Sequence, residues 1–305
     1  MSDVNDKKQV ALVLGSGGAR GLAHIGVIEE LESRGYTISS IAGSSIGSVI
    51  GGVYAAGYLD EYKEWVLNLD RRRVFQLIDF TISSHGFIKG ERVFNEMKQF
   101  VGEERIENLK IPFCAIAVDL EHQEEVVYDS GDLWQAIRAS VAIPSVLTPV
   151  QHNNRVLVDG GVVNPLPVNR VSRIEDDIMV AVDLNALIDL EVVHEKSSAD
   201  QNEIEQNKFM ESIRQKIGDW WPWASNGDEG EEKSHIKKNY LGILNASFEM
   251  MQDQVATLAM KQNPPDVLVK IPRKCASTFD FYMGKQLIET GRQLTAKALD
   301  QFENK

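Results

Sequence analysis

Twice near its start the chain runs an uncharged, largely apolar segment into a glycine turn and then directly into a helical pattern. "QVALVL" (9–14) enters "GSGGARG" (15–21), and "ISSIAG" (38–43) enters "GSSIG" (43–47). "QVALVL" and "FCAIAV" (113–118) are nearly continuous in apolar residues, so strands there need cover on both faces. A strand covered on both faces and followed at once by a helix commits the chain to layered architecture. Residues 125–129, 155–159, 178–184 and 266–271 read as further strands. Residues 22–33, 46–56, 91–100, 133–140, 236–260 and 280–299 read as helices, with Ser277 or Thr278 placed to cap the last one. The expected fold is α/β: a layered α/β/α arrangement around a central, mostly parallel or mixed sheet.

A length of 305 residues suits one large domain, and residues 1–305 are read as a single domain with an insertion at about 191–235. Helices 236–260 and 280–299 follow that insertion. It holds eleven acidic and five basic residues, within a formal net charge of −13. Ile204, Met210, Ile213 and Ile217 recur at about helical spacing, and Trp220, Trp221 and Trp223 crowd around Pro222. A docked helix followed by a loose acidic loop accounts for this composition. The sharper alternative is a substrate-side lid or a peripheral membrane contact through the three tryptophans, although anionic lipid would repel the carboxylates.

The acidic balance and the lack of a basic stripe exclude nucleic acid as a partner. Cys114 and Cys275 stand in no CxxC pair, which argues against a disulfide framework or thiolate metal site and for a reducing compartment. The polar opening "MSDVNDKKQV" has no secretory pattern. The expected location is cytoplasmic, with peripheral contact at the inner face of the membrane as its extension. Residues 35–59 carry no charge and mimic a membrane span. Five glycines and three serines between Gly43 and Leu59 make them a poor one, and a buried strand, turn and helix explain the same letters.

Gly43, Ser44, Ser45, Ile46 and Gly47 form GxSxG at a strand-to-helix junction, the setting in which this motif exposes a nucleophile. Ser45 is the candidate, since only it is flanked correctly, and the unpaired N–H groups of the following helix would lie beside a reacting carbonyl. The first glycine turn is not a dinucleotide fingerprint, because Arg20 stands where the third glycine belongs; nor is it a phosphate loop, because Leu22 follows Gly21. What remains is a flexible turn whose Gly17 and Gly18 can offer backbone N–H groups to a negative oxygen. Arg20 either supports the loop through carbonyl contacts or steers a substrate phosphate.

A serine nucleophile needs a base. Of the six histidines, His24 lies one turn into a helix where packing is the plainer role, while His85 and His152 lie in polar loops. His194 and His235 lie in or beside the acidic insertion. Asp159 ends the strand "RVLVD" and meets Gly160 and Gly161 at once, which points a carboxylate at the crevice where open sheets bind ligands. An ordinary Asp-Gly turn would look the same. The simplest reading is a Ser45–Asp159 dyad, with the difficulty that a carboxylate near pKa 3.9 is a weak base for a hydroxyl.

Four ordered blocks, "GSGGARG" (15–21), "GSSIG" (43–47), "AIRASVAIPSVLTPV" (136–150) and "DGG" (159–161), together resemble the patatin-like phospholipase family, and "NPPDVLVKIP" (263–272) looks like the C-terminal part of its small bacterial members. The resemblance implies a Ser–Asp dyad without histidine, matching Ser45 and Asp159, and an oxyanion hole matching Gly17 and Gly18. It also implies hydrolysis of acyl esters of phospholipids, lysophospholipids or neutral lipids, with no metal and no cofactor. This loop opens Gly15-Ser16, where the family often has an acidic residue or a further glycine. Two other readings stay open at this level: a Ser-His-Asp esterase using His24 or His152, and a non-catalytic scaffold binding membrane or a partner through residues 203–223. The sequence leaves the oligomeric state open.

Overall fold

The computed structural model describes residues 8–83, 86–144, 146–152, 154–188 and 240–304. In chain order the strands are β1 (Gln9–Leu14), β2 (Thr37–Ser44), β3 (Phe80–Ser83), β4 (Gly86–Ile88), β5 (Phe113–Asp119), β6 (Glu124–Tyr128), β7 (Val150–His152), β8 (Arg155–Asp159), β9 (Ile178–Ala186) and β10 (Val267–Pro272). The helices are α1 (Ala23–Ser33), α2 (Ile46–Ala56), α3 (Leu59–Leu67), α4 (Arg71–Leu77), α5 (Glu91–Val101), α6 (Leu133–Ser140), α7 (Tyr240–Gln262) and α8 (Gly284–Glu303). Every strand expected from the apolar runs enters one eight-stranded sheet of order β10-β9-β1-β2-β5-β8-β7, with β6 paired to β5. The sheet is mixed: β10, β9, β1, β2 and β5 run parallel, and β6, β7 and β8 add antiparallel pairs. Strands β3 and β4 form a separate antiparallel ribbon.

Alternation along the strands divides the core into two layers. Val10, Leu12 and Leu14 face a cluster that includes Ile25 and Ile28 of α1, Ile50 of α2, Ile137 of α6 and Leu287 of α8. Ala11 and Val13 face the other way, with Met179, Ala181, Leu166 and Ala256 of α7. The nearly continuous apolar runs therefore served both faces, as strands with cover on each side require.

One edge of β5 decides where the chemistry can sit. Along it β2 pairs in parallel from Ile41↔Phe113 to Ser44↔Ile116 and then stops. The next residue of β5, Ala117, pairs with Asp159 of antiparallel β8 on that same edge, while β6 takes the opposite one. Two strands thus point their C-terminal ends at each other. The residue after β2 and the last residue of β8 are brought face to face.

Some expectations shift. The segment expected as a helix over 22–33 opens with a 3₁₀ turn, Gly18–Leu22, before α1. Neither Ser277 nor Thr278 caps the last helix. Asp280 instead accepts the Ser277 N–H at 2.8 Å, a 3₁₀ turn covers Phe281–Met283, and α8 begins after it. Helices α3 and α4 were not expected. The chain divides into two compact units, residues 1–188 with 252–305, and residues 189–251. The acidic insertion at 191–235, its tryptophans, His194 and His235 lie outside the described residues. Cys114 and Cys275 are both free thiols. No described helix is long and apolar enough to cross a membrane.

Candidate active site

Ser45 is the residue between β2 and α2, at φ 54° and ψ −125°, a region that costs a non-glycine residue about 1–3 kcal/mol. Its neighbours hold it there. The Ser45 N–H donates to Ser140 Oγ at 3.0 Å, and its carbonyl accepts both the Ser48 hydroxyl at 2.6 Å and the Ser48 N–H at 2.9 Å. The second glycine of the motif has a packing reason. A Cβ on Gly47 would lie 2.1 Å from the Leu14 carbonyl oxygen, so only glycine lets α2 cross the end of β1 this closely.

Ser45 Oγ donates to Asp159 Oδ2 at 2.6 Å. The other carboxylate oxygen accepts the Gly161 N–H at 2.7 Å, and the Gly161 carbonyl accepts from Gln252 of α7 at 2.8 Å. Asp159 is 4% exposed. Burial raises its pKa to about 7, against the opposing pull of the hydrogen bonds from Ser45 and Gly161. The expectation of a weak base near 3.9 is therefore corrected, because the low-polarity setting disfavours the ionised form and makes the carboxylate more basic.

The glycine loop runs beside Ser45 and is tied at both ends. Gly15 N–H donates to the Val182 carbonyl at 3.2 Å, Ser16 N–H to Pro165 at 2.8 Å and Ala19 N–H to Thr278 at 2.8 Å. The amides of Gly17 and Gly18 find no acceptor among the described residues. Gly18 has φ +57°, which turns the chain sharply at no side-chain cost. The buried Arg20 guanidinium donates to the carbonyls of Leu184 (3.0 Å) and Ala276 (3.0 Å) and to Asn185 Oδ1 (2.8 Å). Its contacts are those of a loop tether.

Ser45 and Gly18 open into a cavity of about 170 Å³. Its wall is apolar and comes mainly from α2, the unexpected α3 and α4, and α5, through residues such as Val49, Trp65, Val74, Val93, Phe94 and Met97. Sequence reading missed this wall because its apolar residues come from stretches far apart in the chain that only the fold brings around one volume. Such a wall suits a hydrocarbon chain.

No described histidine partners Ser45. His24 is fully buried, and its Nε2 lies 3.0 Å from the Gly15 carbonyl. That oxygen only accepts, so Nε2 carries the proton. Burial lowers the His24 pKa to about 4 and keeps the ring neutral, as a brace under the glycine loop. His152 is exposed at the end of edge strand β7. His122, not singled out from sequence, pairs with Asp119 at 2.8 Å. Among the described residues no group of three or more His, Cys, Asp or Glu could hold a metal ion.

The geometry, a strained serine bonded to a buried carboxylate beside a glycine loop and an apolar cavity, is that of a serine hydrolase. Comparison with known proteins agrees. The family described as patatin-like phospholipase matches residues 12–171. An uncharacterized NTE family protein of Mycobacterium tuberculosis (strain H37Rv) is 33% identical over 334 aligned positions, covering 97% of this chain and 92% of that protein. Lysophospholipase NTE1 of Yarrowia lipolytica is 32% identical over 188 positions, 59% of this chain and 13% of that much longer protein. The crystal structure of VipD from Legionella pneumophila aligns with 97% of this chain and 67% of its own at 12% identity, with a TM-score of 0.46, too low to carry an argument. The extent of the match and the dyad at its centre lead to one conclusion: the chain belongs to the patatin-like phospholipase family.

Proposed function

We propose that this protein hydrolyses carboxylic esters of lipids, of phospholipase A or lysophospholipase type, through the Ser45–Asp159 dyad. The carrying observation is the 2.6 Å bond from Ser45 Oγ to Asp159 Oδ2 at the mouth of an apolar cavity. As Ser45 Oγ attacks the ester carbonyl, its proton passes to Asp159. The oxygen that becomes negative is taken by the Gly17 and Gly18 amides, where each well-aimed donor stabilises the transition state by about 2.7–4 kcal/mol. Protonated Asp159 then gives its proton to the leaving alkoxide, and an acyl-Ser45 ester remains. Water attacks this ester while Asp159 takes the water's proton, the fatty acid leaves, and Ser45 regains its hydrogen. Arg20 acts here as loop support rather than as a substrate-phosphate ligand, since its tethers point it into the protein.

Incubation with a fluorophosphonate should label the wild type at Ser45. Ser45→Ala should neither label nor hydrolyse p-nitrophenyl butyrate; a labelled or active Ser45→Ala protein would refute the assignment. The Ser-His-Asp alternative is less well supported, because His24 is bonded to the Gly15 carbonyl and His152 is exposed at the end of edge strand β7.

The same reading places the protein in the cytoplasm, working at a lipid surface as one catalytic domain whose acidic insertion carries Trp220, Trp221 and Trp223. Composition supports this part. Flotation with neutral phosphatidylcholine vesicles should recover the wild type better than the Trp220/Trp221/Trp223→Ala variant, and equal recovery would remove the tryptophan contact.

A further inference from the structure

Asn185, next to the last residue of β9, touches the glycine loop on both sides of the Gly17–Gly18 pair. Its Nδ2 donates to the Ser16 carbonyl at 2.9 Å, and its Oδ1 accepts from Arg20 at 2.8 Å. Its own backbone is fixed from below, where the Asn185 N–H donates to Asp183 Oδ1 at 2.8 Å. Other ties on the loop hold one side only: Pro165 takes the Ser16 amide upstream and Thr278 the Ala19 amide downstream. A carboxamide carries a donor and an acceptor on one rigid plane. One side chain therefore sets the distance between the residue before the glycine pair and the arginine after it.

Resting on the reading of Gly17 and Gly18 as the oxyanion donors, we propose that Asn185 is a positioning residue whose carboxamide aims those two amides. The physical demand is strict. Donors must stand about 2.7–3.1 Å from the place where the oxyanion will form, and a misplacement of about 1 Å costs on the order of 100-fold in rate. Two glycines in a row have no side chains to hold their own orientation, so the constraint has to come from the residues that bracket them. Asn185 is the described side chain that bonds to both brackets.

The test uses the full-length protein. Asn185→Asp keeps the shape and an acceptor for Arg20, but turns a lone pair toward the Ser16 carbonyl in place of a donor. Asn185→Leu removes both contacts. In each, kcat per Ser45 site titrated with fluorophosphonate should fall by about 10- to 100-fold on p-nitrophenyl butyrate. KM should stay within about threefold, because ground-state ester binding does not use the amides strongly. The rate of fluorophosphonate labelling, which also builds negative charge on oxygen, should fall in parallel. In Asn185→Leu, which adds no charge, the acid limb of the pH profile should not move, since the hydrogen bonds to Asp159 come from Ser45 and Gly161 and not from Asn185.

Wild-type kcat per titrated site in Asn185→Asp would overturn the proposal, as would a loss that appears only in the fraction of titratable protein. Thermal melting identifies a variant that does not fold; if Asn185→Leu fails there, Asn185→Asp carries the test. Failure of the underlying reading looks different. An inactive wild type, or an active Ser45→Ala protein, would sink the dyad whatever Asn185 does.

Discussion

At the scale of residues, the chemistry turns on a carboxylate that burial has made basic. Asp159 takes the Ser45 proton only when ionised, so its pKa of about 7 sets an acid limb. On an uncharged p-nitrophenyl ester, kcat/KM should rise with pH through about 7 and level off above it. Asp159→Asn should lower kcat by at least about 1,000-fold. The same shift has a stability consequence. A carboxyl whose pKa rises on folding favours the fold fully below its unfolded value near 3.8, and that contribution is lost as pH rises through about 7. Asp159→Asn removes the buried charge. Its melting temperature should exceed that of the wild type at pH 8, and the gap should close as the pH approaches 4. A variant no more stable than the wild type at pH 8 would show that Asp159 is not strained by burial. The strained elbow calls for a separate check. Ser140→Ala leaves the buried Ser45 N–H without its acceptor, so urea denaturation should show a loss of about 1–3 kcal/mol.

At the scale of elements, the close approach of α1 and α8 anchors the layer beneath the glycine loop. A Cβ on Gly26 would lie 1.9 Å from the Ile288 carbonyl oxygen, and one on Gly291 would lie 2.0 Å from that of Ala23. The helices cross backbone to backbone, and each glycine is in place for the other helix. Gly26→Ala must push them apart and should destabilise the fold by about 1–3 kcal/mol in urea, with little change in m-value. Helix α1 also carries His24, which braces Gly15, so the loss of stability should come with slower turnover. An unchanged midpoint would mean that the two helices can separate freely.

At the scale of the whole molecule, the cavity joins the dyad to helices that contribute no catalytic group. Val93 and Met97 of α5 and Trp65 of α3 line it, and all three come from the stretch of sequence between the motifs. Val93→Trp should fill part of this space. It should reduce turnover of p-nitrophenyl decanoate at least about tenfold more than turnover of p-nitrophenyl acetate, with chain length as the measured variable. Equal losses on both esters would show that the acyl chain lies elsewhere.

The strands, the layered α/β class, the elbow and the dyad partners were legible because each rests on local letters: apolar runs, glycines at turns, a serine and a carboxylate at strand ends. Gly17, Gly18 and Arg20 were singled out from the same glycine turn as candidates, with two roles left open for Arg20. The meeting of Ser45 with Asp159 was not local. It depends on β2 and β8 sharing one edge of β5, a pairing between segments more than a hundred residues apart. Asn185, Gln252 and Ser140 acquire their roles only through contacts made after folding, and no residue type at those positions announces them. The pKa of Asp159 was misread for the same reason: a carboxyl group's basicity is set by what surrounds it, and only the packed structure supplies the surroundings.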